Sequence, residues 1–445
     1  MSALATVKSV LNPLSELQKN FCLLVFGSEL KIGLLSDIKK IKNGQQTTDL
    51  VMYKESTGRT LMMRFLEQLP AHSDSKKIIQ EFMIDPNTAF YNKTAFTPLP
   101  TSRGTLNYWV PPKVTPSAGD WSVIRKFLED IICDSDLELF YYLKNYLAHM
   151  LQKPEEKPEV MLVFLGGQGT GKGTFFRLLR KIWSTTLQVS DIDHVIGGFN
   201  SALERSFIVC MDEALFAGQR KAMDRLKSFI SEPVIIIEKK FQDRRSIDSV
   251  HRFFAATNHS HFGNVEQDDR RFVFFRLSDS HQEMHQYFST LNQAINDSSQ
   301  LAALVYYLQS IDLTNFNIRT KPKTKELLAQ KIQSLSGFSR YWYEALCHGR
   351  LDVASAVSLY PWEDSDFISS ERLYEHYGAF QKGSRHQYEP VQLSDIKKGL
   401  EKWCPQATHI RKMNNNLQSR GYQLPSLKEG RKMFGQILKH DINWE

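Results

Sequence analysis

The chain has 445 residues, a net charge of +7 and a pI near 8.9, which favours a polyanionic partner. Its length allows two or three domains, and five well-separated cysteines without a C-x-x-C pair argue against zinc fingers and a disulfide framework. No apolar run approaches the ~20 residues of a membrane helix, and no amino-terminal targeting pattern is present. We therefore expect a cytoplasmic protein without membrane contacts.

The first 157 residues predict two structural regions. Residues 1–110 mix short strand-like and helical pieces, which indicates a small mixed α/β region. The proline-containing stretch 110–120 is typical of a linker. Apolar residues then recur at helical spacing in two runs, 124–132 and 139–150, which predicts helix packing rather than a ligand site. We treat residues 111–157 as a linker and a helical block.

Residues 160–174 have the pattern of a strand, a glycine-rich loop and the start of a helix. An apolar run, Val160 to Leu165, enters the motif G-x-x-x-x-G-K, and a helical pattern follows it. Glycines allow backbone N–H groups to converge on one phosphate chain, and a helix N-terminus and a lysine add positive charge. We predict ATP and Mg²⁺ binding by Gly166, Gly167, Gln168, Gly169, Thr170, Gly171, Lys172, Gly173 and Thr174.

The loop departs from the usual pattern at one position. A serine or threonine that contacts magnesium normally follows the lysine, but here Gly173 follows Lys172 and Thr174 comes one place later. The sequence Gly-Lys-Gly-Thr also resembles the loop of adenylate kinases and related enzymes. A nucleotide kinase is therefore a rival interpretation, and Thr174 is the candidate hydroxyl for a phosphate or for magnesium.

A second motif follows the apolar run Ser206 to Met211, which ends in Asp212 and Glu213. Acidic residues at the end of a buried strand are costly unless they face a cleft with a cation. We predict that Asp212 holds magnesium, directly or through water, and that Glu213 polarises an attacking water. This second role disfavours a nucleotide kinase, because such an enzyme must keep water out.

The next segment predicts a basic, aromatic hairpin. A helical pattern over 226–233 precedes a β-branched strand, and lysines, a phenylalanine and two arginines follow it. Basic side chains suit backbone phosphates and an aromatic ring suits a base of single-stranded DNA. The predicted DNA contacts are Lys239, Lys240, Phe241, Arg244 and Arg245. A solvated basic turn is the alternative.

Two further elements complete the candidate site. The strand-like run 251–258 ends in Asn258, which can orient the water, although an asparagine that caps a turn is common. Arg270 and Arg271 precede another apolar strand and are candidates for stabilising phosphoryl charge from a neighbouring subunit. Their alternative is a surface ion pair with Asp268 or Asp269.

The final segment, 311–445, is basic and reads as mainly helical, with helices predicted at 369–377 and 393–403. A winged-helix DNA-binding appendage and a basic solvated domain are both open interpretations. No Asp-x-Asp pattern on a strand marks a nucleotidyl transferase in residues 1–110, so we expect a separate primase or polymerase to supply priming.

The order of these motifs resembles that of superfamily 3 helicases, a branch of the AAA+ ATPases. More closely, it resembles the helicase part of phage and plasmid primase-helicases of the poxvirus-related type, over roughly residues 85–335. This resemblance implies an α/β fold with an AAA+ P-loop core and a mostly parallel sheet at 158–310. It also implies that the preceding helical block is an oligomerisation collar.

The same resemblance implies a homohexameric ring that hydrolyses ATP at subunit interfaces and moves on single-stranded or forked DNA. A phage, plasmid or other mobile element, acting in a bacterial cytoplasm, is the implied source. The predicted catalytic residues are Lys172, Asp212, Glu213, Asn258, Arg270 and Arg271. A DNA-binding initiator or regulator that does not unwind is the main alternative, and a nucleotide kinase is the weaker one.

Overall fold

A computed structural model describes residues 12–444 apart from 27–28, 44–49, 70–73, 215–219, 239–243, 355–361, 363–366, 384–390 and 415–416. The chain divides into two compact units. Unit 1 comprises 1–214, 224–260 and 273–322, and unit 2 comprises 215–223, 261–272 and 323–445. This division differs from the four predicted segments, because a single hydrophobic core runs through the amino-terminal region, the helical block and the central sheet.

The amino-terminal part of unit 1 is the small mixed α/β region that the sequence predicted. Its elements are α1 (Pro13–Asn20), β1 (Phe21–Phe26), β2 (Glu29–Leu34), α2 (Leu35–Lys42), β3 (Met52–Lys54), α3 (Glu55–Glu67), α4 (Ser75–Ile84), β4 (Phe90–Tyr91), β5 (Lys93–Ala95) and β6 (Thr105–Asn107). Within the described residues, four strands form a sheet in the order β3-β2-β1-β4, and β5 pairs with β6. Helices α1, α3 and α4 cover this sheet through a separate apolar cluster.

The predicted helical block forms α5 (Ser122–Lys126), a π-helical turn (Phe127–Ile132) and α6 (Leu137–Gln152). Asp136 caps the N-terminus of α6. Its carboxylate accepts hydrogen bonds from the backbone N–H groups of Glu138 and Leu139 at 2.9 and 3.0 Å. The apolar face of α6 is buried in the core of unit 1.

The central part of unit 1 follows in alternating strands and helices. These are β7 (Met161–Leu165), α7 (Lys172–Ile182), β8 (Thr186–Val189), α8 (Asp193–Ile196), a 3₁₀ turn (Ser201–Arg205), β9 (Ile208–Met211), α9 (Arg220–Ser231), β10 (Val234–Ile237), β11 (Arg245–Asp248), β12 (Arg252–Thr257), β13 (Phe272–Arg276), α10 (His285–Asn296) and α11 (Ser298–Ser310). Five of the described strands form one sheet in the order β13-β7-β12-β9-β8. Strands β7, β12, β9 and β8 are parallel, and β7, β9 and β12 are buried along their whole length. Burial on both faces explains why these strands read as continuous apolar runs.

Strands β10 and β11 form a separate antiparallel hairpin. Residues of β10 alternate between exposed and buried, with Ile235 and Ile237 facing inward and Val234 and Ile236 outward. One face of the hairpin therefore packs against unit 1 and the other is open to solvent.

Unit 2 contains α12 (Lys325–Gln333), α13 (Gly337–His348), β14 (Phe367–Ser369), α14 (Ser370–Gly383), α15 (Leu393–Trp403), β15 (Thr408–Asn414), β16 (Leu417–Gln423) and α16 (Leu427–Leu438). Its described strands form an antiparallel sheet in the order β14-β16-β15. The sequence analysis predicted the helices but not this sheet. The strands were missed because β15 and β16 are largely polar and exposed, so the alternation that marks a half-buried strand is absent.

Candidate nucleotide-binding site

The carboxyl ends of the parallel strands bring the predicted motifs to one edge of the central sheet. Backbone hydrogen bonds join Gly166 to Thr257 at 3.3 Å and Ala214 to Ala256 at 2.9 Å. The phosphate-type loop after β7, the acidic pair after β9 and Asn258 after β12 therefore lie at the same edge of the sheet. Ligands of open parallel sheets commonly bind at this edge.

The loop depends on glycine at two positions. Gly169 and Gly171 have φ values of +79° and +105°, which side-chain-bearing residues rarely adopt. Gly171 also begins α7, and a Cβ atom there would lie 2.9 Å from the Phe127 ring. Substitution at Gly171 would therefore strain the backbone and collide with the helical block.

Lys172 is folded into the loop. Its ammonium donates hydrogen bonds to the carbonyl oxygens of Gly166 and Gly167, both at 2.6 Å. Burial lowers the pKa of Lys172, and the carboxylates of Asp212 and Glu213 oppose that change. The lysine therefore sits in the field of the acidic pair, and the loop carbonyls satisfy its charge.

The two residues after Lys172 differ in their surroundings. Thr174 is buried in the first turn of α7, whereas a Cβ atom on Gly173 would meet nothing within 4 Å. The departure at Gly173 is therefore not imposed by crowding. Within the described ranges, no group of three or more His, Cys, Asp or Glu side chains could hold a metal ion. Magnesium fits such a site when one carboxylate, phosphate oxygens and water complete its ligand set.

Asp212 is held by a side chain that the sequence analysis missed. Gln188 on β8 donates a hydrogen bond to Asp212 Oδ2 at 3.1 Å, and Arg180 on α7 donates to the amide oxygen of Gln188. No motif marks Gln188, because its position follows only from the pairing of β8 with β9. The three side chains connect α7, β8 and the end of β9.

Glu213 and Asn258 have exposed side chains at the same edge. Glu213 has a left-handed backbone with φ +55°, a conformation that costs a residue with a side chain about 1–2 kcal/mol. Other described residues, among them Glu159, share this conformation, so it does not by itself mark Glu213 as functional, and the role of Glu213 stays a prediction. The water-positioning role of Asn258 stays a prediction.

The turn between β13 and α10 and the first part of α10 contact the glycine-rich loop, and the sequence analysis did not predict these contacts. Gln282 donates a side-chain hydrogen bond to the Gln168 carbonyl oxygen at 2.7 Å, and the Phe288 ring packs beside Gly171. Both contacts join residues more than a hundred positions apart. No local pattern could have indicated them.

Arg270 and Arg271 lie in unit 2. The Arg270 side chain is exposed. The Arg271 backbone donates to the buried Asp269 carboxylate at 2.8 Å, and its guanidinium lies 3.9 Å from the same group. The ion pair that was the alternative interpretation is therefore present at Arg271, and a role for either arginine across a subunit interface stays a prediction.

The predicted hairpin is present, but Lys239, Lys240 and Phe241 lie outside the described residues. Arg244, whose side chain is 74% exposed, pairs with Glu238 at 2.7 Å. Arg245 pairs with the buried Glu204 in the 3₁₀ turn. Arg245 thus anchors the hairpin stem, and the DNA-binding roles of all five residues stay predictions.

Buried Asn200 fixes the same stem. Its amide donates to the Ile236 carbonyl at 2.9 Å, and its oxygen accepts from the Glu238 backbone at 2.8 Å. The two bonds hold the end of β10 against unit 1 just before the tip.

A cluster of basic side chains lies at the opposite, amino-terminal edge of the sheet. Lys157 donates to the carbonyl oxygens of Phe229 and Glu232 and to the Ser249 hydroxyl, which lies 2.6 Å away. Burial lowers the pKa of Lys157 to about 7. Because Glu232 and Ser249 flank the hairpin, Lys157 ties the base of the hairpin to the segment that enters β7.

His251 and Arg252 extend this cluster and are fully buried. The two ring nitrogens of His251 lie 2.9 Å from the Ser249 hydroxyl and the Leu203 carbonyl oxygen, and burial lowers its pKa to about 4. The Arg252 guanidinium donates to backbone carbonyl oxygens, among them that of Glu156 at 2.6 Å. We refer to Lys157, His251 and Arg252 as the amino-edge cluster.

Comparisons with known proteins were made for the whole chain. Residues 164–271, which span most of the central sheet, match a family described as a family of unknown function, DUF5906. A DNA primase-polymerase of Nitratiruptor phage NrS-1 is 25% identical over 232 residues. That match covers 50% of this chain and only 31% of the relative.

Apo structures of the NrS-1 C-terminal region are similar along almost the whole chain. One gives a TM-score of 0.67 at 17% identity and covers 93% of this chain and 99% of its own. A second gives 0.66 and covers 92% and 98%. The chain shares the fold of that region. None of the helices in the described ranges is long and apolar enough to cross a membrane.

Proposed function

We propose that this protein is an ATP-hydrolysing motor that translocates on or unwinds DNA in phage replication, as a homohexameric ring with an AAA+ core. The observation that carries the proposal is the meeting of the Lys172 loop, the Asp212–Glu213 pair and Asn258 at one edge of a parallel sheet. Similarity to a phage DNA primase-polymerase supports a role in DNA replication.

The strand order gives further support. Strand β12 lies between β7 and β9, so Asn258 follows the strand that separates the lysine loop from the acidic pair. A side chain placed there can contact both the terminal phosphate of a nucleotide and a water beside it. Three groups with different chemistry therefore follow neighbouring strands at one edge of the sheet: a cation, a pair of carboxylates and an amide.

The residues of the loop fit a triphosphate. The N-terminus of α7 and the Lys172 ammonium supply positive charge, and Gly171, without a side chain, allows close approach of the backbone. Lys172 would exchange its loop carbonyl acceptors for phosphate oxygens. Asp212, oriented by Gln188, would hold magnesium, which when bound neutralises phosphate charge.

Hydrolysis requires a base and stabilisation of the transferring phosphoryl group. Glu213 would polarise the attacking water, and Asn258 would position it. Arg270 or Arg271 of a neighbouring copy would stabilise the developing charge, a contribution worth roughly 10³ to 10⁵ in rate in related chemistry. Loss of the terminal phosphate would release that contact and move the β10–β11 hairpin and its basic tip along a single strand.

The test uses the purified chain and its Lys172→Ala variant. Phosphate release from Mg-ATP is measured with and without single-stranded DNA, and strand displacement is measured on a forked duplex. We expect DNA-stimulated phosphate release and displacement that Lys172→Ala abolishes, with light scattering showing a hexamer. Unchanged phosphate release by Lys172→Ala would refute the proposal.

Two other outcomes identify the alternatives. Hydrolysis and DNA binding without strand displacement would indicate an initiator or regulator. Phosphate transfer from ATP to AMP or dTMP, in place of release into water, would indicate a nucleotide kinase.

A further inference from the structure

The order of helices and strands in unit 2 points to nucleic-acid binding. After α12, its described elements run helix, strand, helix, helix and antiparallel ribbon, with the sheet order β14-β16-β15. This is the chain order of a winged-helix module. We propose that unit 2 binds double-stranded DNA through α15 and the β15–β16 ribbon.

Helix α15 presents a basic outer face. Ile396, Leu400 and Trp403 attach the helix to the core of unit 2. The lysines at 397, 398 and 402 remain exposed on the other side, where the Lys397 ammonium lies 3.9 Å from the exposed Glu401 carboxylate. A helix fixed in this way can lie in a major groove, with its basic side chains directed at the phosphates.

The ribbon is more strongly charged than the helix. No acidic residue occurs between Glu401 and Glu429, whereas five basic residues do. These are Lys402, Arg411, Lys412, Arg420 and Lys428. Three of the five lie on β15 and β16, so the local field at the ribbon is positive even though the charge of the whole chain is only +7.

The pairing of the ribbon strands places two of these charges together. Arg411 lies directly opposite Arg420 in the register, and both side chains are exposed. Like charges in directly opposed positions destabilise a strand pair. In the described part of the chain, no carboxylate pairs with either arginine. A phosphate backbone would supply the missing negative charge.

The surface suits a duplex better than a single strand. Non-specific binding of single strands depends on exposed aromatic rings that stack on bases. None of the Phe, Tyr or Trp side chains in the described parts of α15, β15 and β16 is exposed, and Trp403 is buried. Phosphate contacts and groove shape are therefore the available means of recognition. The hairpin tip of unit 1, with Phe241, has the opposite character in the sequence.

The experiment measures binding of the full chain to a labelled duplex of roughly 20 base pairs and to a single strand of the same length, at several salt concentrations. Nucleotide is omitted, and all variants carry Lys172→Ala, so the result does not depend on the proposed motor. The test variant is Arg411→Gln/Lys412→Gln/Arg420→Gln. The matched control is Lys325→Gln/Lys382→Gln/Lys432→Gln, which removes three exposed charges from other elements of unit 2.

We expect the ribbon variant to bind the duplex about 10- to 100-fold more weakly and to lower the salt slope by about 2 to 3, because three phosphate contacts are lost. Single-strand binding and the control variant should change less than about twofold. Equal duplex binding by the ribbon and control variants would overturn the proposal. An equal loss for duplex and single strand would overturn it too, because that result indicates a general polyanion surface.

A second variant keeps the test decisive if the ribbon variant fails to fold. Lys397→Gln/Lys398→Gln alters the outer face of α15, where both side chains are exposed. It should weaken duplex binding about three- to tenfold while circular dichroism stays unchanged. Unchanged duplex affinity of this folded variant would refute a role for α15.

Discussion

Both edges of the central sheet carry cations bonded to backbone carbonyl oxygens, Lys172 at the carboxyl edge and Lys157 and Arg252 at the amino edge, but only the carboxyl edge also exposes polar side chains at the ends of buried strands. At the amino edge, His251 and Arg252 are fully buried and the cluster bonds to backbone carbonyls and a hydroxyl. At the carboxyl edge, Glu213 and Asn258 are exposed. The comparison separates charges that hold the fold together from charges that are available to a ligand.

The largest expected effect is at the carboxyl edge. Lys172→Ala removes the cation that faces the phosphates and should lower phosphate release from ATP by at least about 10² to 10³. The matched control is Lys181→Ala, an exposed lysine later in α7. Equal activity of the two variants in a steady-state phosphate assay would place the nucleotide elsewhere.

Glu213→Gln should lower the rate of hydrolysis about 10²- to 10³-fold but leave ATP binding within about threefold, because the amide cannot polarise water. Binding is measured with a fluorescent nucleotide, and hydrolysis by single turnover. Glu159→Gln is the control from the opposite edge, since Glu159 has a similar backbone with φ +56°. A parallel loss of binding and hydrolysis in Glu213→Gln would show a structural role instead.

The amino edge should respond in stability rather than in chemistry. Lys157→Met leaves two carbonyl oxygens and a hydroxyl without their donor and should destabilise the fold by about 2–4 kcal/mol. Urea unfolding measures this change, with Lys153→Met as control, a half-buried lysine of the same loop whose ammonium pairs with Glu156. Loss of ATP binding in a folded Lys157→Met variant would contradict the prediction, because it would show that the amino edge also affects the nucleotide site.

The last expected effect is a pH dependence of stability. Folded His251 stays neutral down to about pH 4, whereas the unfolded residue binds a proton near pH 6.5. The unfolded state therefore binds more protons in this interval, and stability should fall as pH falls, by up to about 1.4 kcal/mol per pH unit. Urea unfolding from pH 7.5 to 4.5 checks the slope, which should be shallower in His251→Gln.

The sequence predicted the elements whose signal is local. Helix α15 was predicted at 393–403 and occurs there, because Ile396, Leu400 and Trp403 repeat at helical spacing. Strand β7 and its loop were found because burial on both faces leaves a continuous apolar run. The order of the motifs was enough to gather three of them at one sheet edge.

Contacts between distant segments could not be predicted in this way. Arg252 was expected only as part of a strand, and its burial depends on carbonyl oxygens of the loop before β7. Gln188 reaches Asp212 because β8 lies beside β9. The strands of the sheet in unit 2 lack the apolar alternation that marks a half-buried strand. The sequence also gave no sign that Gly421 lies against a neighbouring strand, where a Cβ atom would be 2.1 Å from the Ile368 carbonyl oxygen.

The open space around Gly173 bears on how this loop can evolve. A Cβ atom there would meet no heavy atom within 4 Å, so packing within the chain does not require glycine at this position. A change to serine would give the loop the hydroxyl that most lysine loops of this kind possess, and its Cβ atom would meet no neighbouring heavy atom within 4 Å. Replacement at position 173 is therefore open on steric grounds, whereas crowding and backbone conformation both oppose it at Gly171.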